Sequence, residues 1–364
     1  MLASKEKISI RQATMYYLMI MHTTTIRLLP SVVAKVGERA GWLAPVFTIV
    51  PFTALVFIIQ ALFKNDKEAN LSLSEIIFKS LGRILGTVLL IIYLAWMLIS
   101  LGLFVRFFAE KFLASMLPNT PQNFFTVTIL AVIFYALQGG IIYVARTIEF
   151  LFLAFSIVIV IMFLLTVPNI DIINLLPVTY YDIWPIIKAS YFNLGMWSAF
   201  TFTFFFGDRI NNKEHIKRFG LQATLYLTVI TLLILIQTIG VYGHSVIERI
   251  SLSYIFVIKG ISVLETIERI ESIAIASWVI IYFAAISFYA FAAMSIMKSL
   301  FSLSQEKSLI SPVIIFAFIF SNYIAGNRFE LERFITYINT PLNIIFGFVF
   351  PLIILVIGKA RKKI

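Results

Sequence analysis

Three consecutive hydroxyl side chains interrupt the first apolar run of the chain. His22 and Thr23-Thr24-Thr25 follow nine apolar or small residues, and Pro30 ends the run. Lipid offers no partners for loose backbone N–H and C=O groups, so a broken helix here must face protein or a wet cavity. Threonine also fits an unbroken helix, because its hydroxyl bonds the carbonyl one turn earlier. We favour the break, which predicts that the three threonines contact a small polar ligand.

A second apolar run carries a similar set of small polar residues. The stretch YFNLGMWSAFTFTFFFGDR is rich in Phe but includes Asn193, Gly195, Ser198 and Thr201. Matching interruptions in two segments are the best sequence indicator of a transporter-type binding site. Close helix packing is the alternative interpretation, since small residues also let helices approach one another.

Aromatic and hydroxyl side chains on other segments are candidates for the walls of such a site. Small-ligand sites place a few polar groups amid apolar walls. On that basis we predict further ligand contacts from Tyr93, Trp96, Met97, Trp197, Ser198, Thr201, Phe202, Tyr282, Ser287 and Tyr289. Ordinary core packing is the alternative, because a chain with 36 Phe must place most of its aromatic residues in the core or against lipid.

Charged residues near the middle of apolar runs are informative, because each costs about 3 kcal/mol or more in lipid. Arg106 and Glu110 are spaced i,i+4, which predicts a helical ion pair near the outer surface. Arg146 and Glu149 are expected to anchor the inner start of a helix and a gate beneath the site. Arg27 is expected either to face a water-filled vestibule and pair with a carboxylate, or to extend its guanidinium outward to the membrane interface. The outer end of the eighth segment is expected to be capped by Glu268, Arg269 and Glu271.

The positions of the histidines and the absence of cysteine limit which metal or catalytic sites the chain can form. His22, His215 and His244 are far apart, and none has a metal-ligand neighbour at i+3 or i+4. The chain has no Cys, and we find no hydrolase triad, phosphate-binding loop or carboxylate pair. The sequence therefore predicts no enzyme, no metal site and no cofactor.

Composition identifies the elements that must position these residues as membrane helices. The chain is 60% hydrophobic and 13% charged with a mean hydropathy of +0.97, whereas soluble domains are about 45–50% apolar and about 25% charged. Each crossing needs about 20 apolar residues. Ten helical segments are predicted, near 9–30, 42–63, 84–113, 124–142, 147–168, 190–207, 219–243, 272–299, 310–326 and 339–358.

The distribution of basic residues predicts the orientation of these segments. The net charge of +11 lies mostly in short loops between apolar runs, which argues against a nucleic-acid partner. Most Lys and Arg fall on one side if both termini are cytoplasmic, and no cleavable signal peptide is expected. Residues 169–189 and 244–271 then lie outside. Ile255, Ile258, Ile261 and Leu264 have helical spacing, which predicts a helix on the outer face, acting as an external gate or simply packed on the bundle.

The ten segments divide into two halves of five within one transmembrane domain, residues 1–364. Repeat one covers about 8–168 and repeat two about 190–358. An odd number of crossings per half forces opposite orientations, which is the arrangement of inverted-repeat transporters with interrupted first and sixth helices.

Several short motifs, in order along the whole chain, resemble those of the spore germination permeases, the B subunits of germinant receptors in endospore-forming bacteria. They are Ile8-Ser9-x-x-Gln12, Leu29-Pro30, Gly41-Trp42-Leu43, Gly82-Arg83-x-x-Gly86, Pro118-x-Thr120-Pro121, Gly139-Gly140 with Ala145-Arg146, Leu176-Pro177, and the run from Ile267 to Ser272 with Trp278. The resemblance implies a branch of the amino acid–polyamine–organocation superfamily with a ten-helix, leucine-transporter-type core. Two departures are Thr23-Thr24-Thr25, where relatives often have small residues, and Thr201, where many carry an acid.

The resemblance implies that the chain senses a small germinant, commonly an amino acid, in the spore inner membrane. It also implies an A-type membrane subunit and a C-type lipoprotein subunit as partners. We expect freed N–H groups at half-helix ends to hold the ligand carboxylate. A working amino-acid permease and a scaffold or conduit for water or ions remain alternative functions.

Overall fold

The computed structural model describes residues 7–64, 71–115, 117, 119–250, 252–260 and 271–364, and nearly all of them are helical. Each of the ten predicted segments coincides with a helix in these residues. The helices are α1 (Ile10–Arg27), α2 (Leu29–Gly37), α3 (Ala44–Leu62), α4 (Leu73–Leu81), α5 (Arg83–Ser115), α6 (Gln122–Gly139), α7 (Ile141–Thr166), α8 (Ile183–Trp197), α9 (Ile216–Tyr242), α10 (His244–Ile247), α11 (Ser253–Lys259), α12 (Glu271–Phe301), α13 (Ile310–Tyr323), α14 (Arg328–Phe334), α15 (Thr340–Ile344) and α16 (Phe350–Ala360).

Seven helices in the described part of the chain are long and apolar enough to cross a membrane. They span Leu29–Leu62, Arg83–Leu113, Gln122–Gly139, Ile141–Asn169, Lys213–Tyr242, Trp278–Phe301 and Glu330–Ala360. The protein is therefore a multi-pass membrane protein. The other three predicted segments correspond to α1, to α8 with the turn that follows it, and to α13, so ten crossings remain a prediction.

The most buried helices are α1 and α12, which pack against each other at the centre of the bundle. In the most apolar stretch of α12, 83% of the residues are buried by protein. Neighbouring helices rather than lipid therefore surround this stretch. The surrounding helices α5, α7 and α9 contact this central pair. Polar groups on α1 are thus held away from lipid.

The motif at the start of the chain caps α1. The Ser9 side chain accepts from the Gln12 backbone N–H, and the Gln12 side chain accepts from the Ser9 N–H. This reciprocal pair satisfies two of the orphan donors of the helix. Ile8–Ser9 also forms strand β1, which pairs in parallel with strand β2, Ile210–Asn211. The start of the first segment is thereby tied to the end of the sixth.

The predicted break at Thr23–Thr25 is wrong, because α1 continues through all three threonines to Arg27. The Thr24 hydroxyl donates to the Met21 carbonyl at 3.1 Å, as an unbroken helix allows. The interruption falls instead at Leu28, between α1 and α2. Pro30 has no N–H for the carbonyl one turn earlier, which loosens the helix at that point.

The sixth segment does change its winding in the predicted stretch. The α-helix ends at Trp197, and Ser198–Arg209 continues as a 3-10 helix with a kink at Phe206. The last segment is irregular too, because wider π-helical turns occupy Ile335–Asn339 and Ile345–Val349. Runs of 3-10 or π-helix of this length are uncommon and often mark functional sites.

Only part of the predicted outer-face helix can be compared with the structure. Helix α11 contains Ile255 and Ile258, and both are buried against the bundle. Ile261 and Leu264 lie outside the described residues. The observed half agrees with a helix packed on its apolar face.

Candidate ligand-binding site

A cavity of about 620 Å³, including its open mouth, lies between α1 and the irregular parts of the sixth and tenth segments. Five segments contribute to its wall: α1, α5, the α8 end with its 3-10 continuation, α12, and the π-turn with α15. The lining residues are Met21, Thr23, Thr24, Arg27, Leu28, Leu103, Phe104, Phe107, Met196, Ala199, Tyr289, Ile335, Asn339, Thr340 and Asn343.

Two of the three predicted threonines line this cavity. The Thr23 hydroxyl donates to the Ile281 carbonyl of α12 at 3.3 Å, and Thr24 bonds within its own helix. Each hydroxyl keeps lone pairs that can accept from a ligand. Thr25 is buried on another face of α1 and does not line the cavity. An unbroken helix presents residues about one turn apart on the same face, which is why Thr24 and Leu28 appear together.

Arg27 brings a positive charge to the same wall. Its side chain is buried, and its guanidinium carbon lies 3.2 Å from the centroid of the Phe107 ring. A guanidinium over an aromatic face gains cation–π attraction, which is larger where water is excluded. No carboxylate is found among the described residues that line the cavity.

Three polar residues of the tenth segment complete the site, and sequence reasoning missed them. Asn343 accepts from the indole Nε1–H of Trp96 at 3.0 Å and donates to Asn339 at 2.9 Å. Because the Asn339 amide oxygen accepts this bond, its NH2 group can donate to a ligand. Thr340 lies between them. The signal was Asn-Thr-x-x-Asn spacing within an apolar run, but Asn339 stood at the predicted helix boundary.

Trp96 is thus one contact away from the cavity, and Tyr93, Ser198 and Thr201 lie deeper in the core. Tyr93 donates to the Phe346 carbonyl at 2.7 Å, and Thr201 donates to the Gly347 carbonyl at 2.5 Å. Ser198 bonds the Leu194 carbonyl one turn earlier. These bonds hold the tenth segment against α5 and the sixth segment. They shape the cavity without lining it.

Another group of predicted residues packs around the central helices. Ser287 contacts the Tyr16 hydroxyl at 2.7 Å, and the Phe202 ring lies 6.5 Å from the Tyr289 ring. Of the hydroxyls predicted on α12, Tyr289 lines the cavity. Also buried and outside the lining are Met97, Trp197 and Tyr282.

The predicted structural charges are partly observed. Arg106 and Glu110 form the expected ion pair at 2.7 Å, and Arg106 also donates to Gln122. Glu149 contacts Arg11 and Gln12 at the start of α1, and the anchoring or gating role of Arg146 and Glu149 stays a prediction. The predicted capping residues Glu268 and Arg269 lie outside the described residues, as does the side chain of Glu271.

A second charged cluster joins the ends of the sixth and eighth segments. Lys298 contacts Asp208 at 3.2 Å and Glu306 at 3.7 Å, and Arg209 contacts Glu306 at 3.1 Å. Burial raises the pKa of the Glu306 carboxyl, although Arg209 and Lys298 act to lower it. Together with the β1–β2 pair at the start of α1, this cluster links elements at the opposite end of that helix from Arg27.

Comparisons with known proteins relate the whole chain to one family. A family model described as spore germination protein matches residues 7–329. Spore germination protein KB of Bacillus subtilis (strain 168) is 24% identical, covering 99% of this chain and 96% of its own length. Spore germination protein A2 of the same organism is 25% identical, over 76% of this chain and 75% of its own. Putative spore germination protein YfkT, also from that organism, is 19% identical, over 91% of this chain and 90% of its own.

Proposed function

Since the chain belongs to the spore germination protein family, we propose that it is the membrane subunit of a germinant receptor. In this proposal a small germinant, such as an amino acid, binds in the cavity beside Thr24 and Arg27. The observation that carries it is the cavity itself, which places a cation, four hydroxyls and two amides among apolar side chains. Small-molecule sites have this composition, with few polar groups fixing orientation.

The described contacts suggest a division of roles for the ligand-binding groups. Arg27 pairs with the ligand carboxylate, replacing the freed N–H groups expected of a broken helix. Thr23 and Thr24 accept hydrogen bonds from the ligand's donors, and Asn339 donates to its remaining oxygens. Phe104 and Phe107 cover the apolar part. A charge-assisted hydrogen bond from Arg27 contributes more than the neutral ones.

Binding signals through the irregular segments that form the cavity wall. Met196 and Ala199 flank the point where the sixth segment changes to 3-10 winding, and Ile335 begins a π-turn. A ligand shifts a conformational equilibrium only if it binds one arrangement more tightly. We propose that the occupied site favours a different packing of these segments. The A-type membrane subunit and C-type lipoprotein subunit respond to that change.

We further propose the architecture implied by the resemblance. The ten segments cross the spore inner membrane with both termini cytoplasmic, as two inverted repeats of five. Each of the ten coincides with a helix among the described residues, which supports this count.

Replacing Arg27 tests the germinant site. We expect Arg27→Gln to raise the germinant concentration for half-maximal germination at least about tenfold, because a hydrogen bond to a charged group contributes about 1.5–3 kcal/mol. Arg39→Gln, which removes a basic residue outside the cavity, is the matched control and should leave the response unchanged. An unchanged response in Arg27→Gln spores with normal protein levels would contradict the proposed site.

A permease that transports its ligand is the second candidate, for which the ion pairs of Lys298 with Asp208 and Glu306, at the opposite end of the bundle from Arg27, would be a gate that opens during transport. Uptake of labelled amino acid by the purified chain in vesicles would support this function. Binding without uptake would support the receptor, and absence of binding by the chain alone would favour a scaffold or conduit.

A further inference from the structure

A chain of buried polar contacts starts at His22, on the side of α1 away from the cavity. The His22 Nδ1 atom lies 2.7 Å from the Leu18 carbonyl oxygen, and its Nε2 atom lies 2.9 Å from the Tyr226 hydroxyl of α9. His22 is buried, with only 2% of its surface exposed. Both ring nitrogens are therefore engaged within the protein.

This series of polar contacts continues from α9 to α7. The Tyr226 hydroxyl lies 2.6 Å from the Ser156 hydroxyl, which lies 2.7 Å from the Phe152 carbonyl oxygen. The sequence of contacts thus runs from one backbone carbonyl to another. Both ends can only accept hydrogen bonds.

Counting hydrogens shows what these contacts require. The four contacts need four hydrogens, one for each pair of heavy atoms. A neutral imidazole, a phenol and an alcohol supply three in total, whereas the imidazolium form of His22 raises the number to four. With that extra proton, His22 donates to Leu18 and to Tyr226, Tyr226 donates to Ser156, and Ser156 donates to Phe152.

We propose that His22, Tyr226 and Ser156 form a proton-binding site inside the bundle. The ligand is a single proton taken from water, and the site gains one positive charge when it binds. This site lies beyond the proposed germinant cavity and does not depend on it. It would make the packing of α1 against α7 and α9 sensitive to pH.

Within the part of the chain that the structure describes, the side chains in contact with His22 are aromatic and uncharged. Phe152 and Phe155 pack edge-to-face against the imidazole. Such burial disfavours the imidazolium, and completing the fourth hydrogen bond opposes that cost. Among the described residues, His22's own helix and the elements packed against it carry these further titratable or charged side chains: Arg11, Tyr16, Tyr17 and Arg27 on α1, Lys35 on α2, Tyr143, Arg146 and Glu149 on α7, Lys188 and Tyr191 on α8, Asp208 and Arg209 in its 3-10 continuation, Lys217, Arg218, Tyr226 and Tyr242 on α9, Tyr254 and Lys259 on α11, and Tyr282, Tyr289 and Lys298 on α12. Tyr226 is the member of this set that contacts the ring.

The test is to follow His22 by nitrogen NMR in the purified full-length chain. Histidine labelled with ¹⁵N in a His215→Gln, His244→Gln background reports His22 alone, and its shifts distinguish imidazolium from the neutral tautomers. We expect the imidazolium to persist up to at least about pH 5.5. A ring that is already neutral at about pH 5.5 would overturn the proposal.

The variant Ser156→Ala tests the count of hydrogens in these contacts. Without the serine, the two contacts that remain to His22 need only the two hydrogens that a neutral imidazole and Tyr226 supply. We expect this variant to lower the proton affinity of His22 at least about tenfold, or one pH unit. Thr147→Val, which loses a similar helix-carbonyl bond on the exposed face of α7, is the matched control.

Tyr226→Phe provides a second variant in case Ser156→Ala fails to fold. It removes both contacts of the hydroxyl and should lower the proton affinity of His22 by a similar factor. An equal midpoint in the parent chain and in a folded Ser156→Ala or Tyr226→Phe variant would overturn the proposal.

Discussion

Thr24 has two roles that a single residue can combine in a membrane helix. Its hydroxyl hydrogen satisfies the Met21 carbonyl, while its oxygen remains able to accept at the cavity wall. Back-bonding of this kind lets a threonine side chain satisfy its hydroxyl inside an unbroken helix, as Thr24 does in α1. The sequence identified the residues correctly as polar groups in the bundle, but the choice between broken and intact helix depended on this local bond.

Replacing Thr24 by Val tests its contact with the ligand. The change removes the hydroxyl with little change of shape, so we expect about a fivefold rise in the germinant concentration for half-maximal germination, equivalent to about 1 kcal/mol. Thr14→Val is the control, because Thr14 makes a similar bond within α1, at 2.8 Å to the Ile10 carbonyl, away from the cavity. Equal dose–response curves for both variants would remove Thr24 from the site.

At the scale of elements, the tenth segment is held against α5 and the sixth segment by contacts that sequence alone does not reveal. Tyr93 and Thr201 donate to the carbonyls of Phe346 and Gly347. Every residue has a carbonyl, so no side-chain pattern indicates which one will be the acceptor. Helix positions were predictable from hydropathy, whereas these pairings depend on the folded arrangement. The missed role of Asn343 has the same origin.

Gly347 permits the closest approach of these two segments. A Cβ atom there would lie 2.3 Å from the Ser198 carbonyl oxygen, a distance that forces the segments apart. We expect Gly347→Ala to lower the free energy of unfolding by about 1–3 kcal/mol, the usual cost of overpacking. Thermal unfolding of the purified protein in detergent measures this effect.

Gly139→Ala is the control for that measurement. Its added Cβ would meet Tyr143 at an ordinary 3.4 Å, so the stability should change little. If Gly347→Ala were as stable as this control, the sixth and tenth segments would not be in close contact at that point.

At the scale of the whole molecule, hydropathy and charge predicted a multi-pass bundle because lipid imposes strong constraints on both. The seven helices that satisfy length and hydropathy alone do not include α1, whose polar residues are shielded by its neighbours. A central helix can be less apolar than a lipid-facing one, since it contacts protein. The number of crossings therefore needs an experiment on orientation.

The absence of cysteine from the chain makes that experiment direct. We expect a Cys replacing Tyr180, which is 70% exposed, to react with a membrane-impermeant maleimide added outside intact protoplasts. A Cys replacing Ser308, an exposed residue between α12 and α13, should react only after the membrane is opened. The two sites are separated by three predicted crossings, because the sixth, seventh and eighth segments lie between them. Labelling of both from the same side would require an even number of crossings there, and the arrangement of two inverted halves would be wrong.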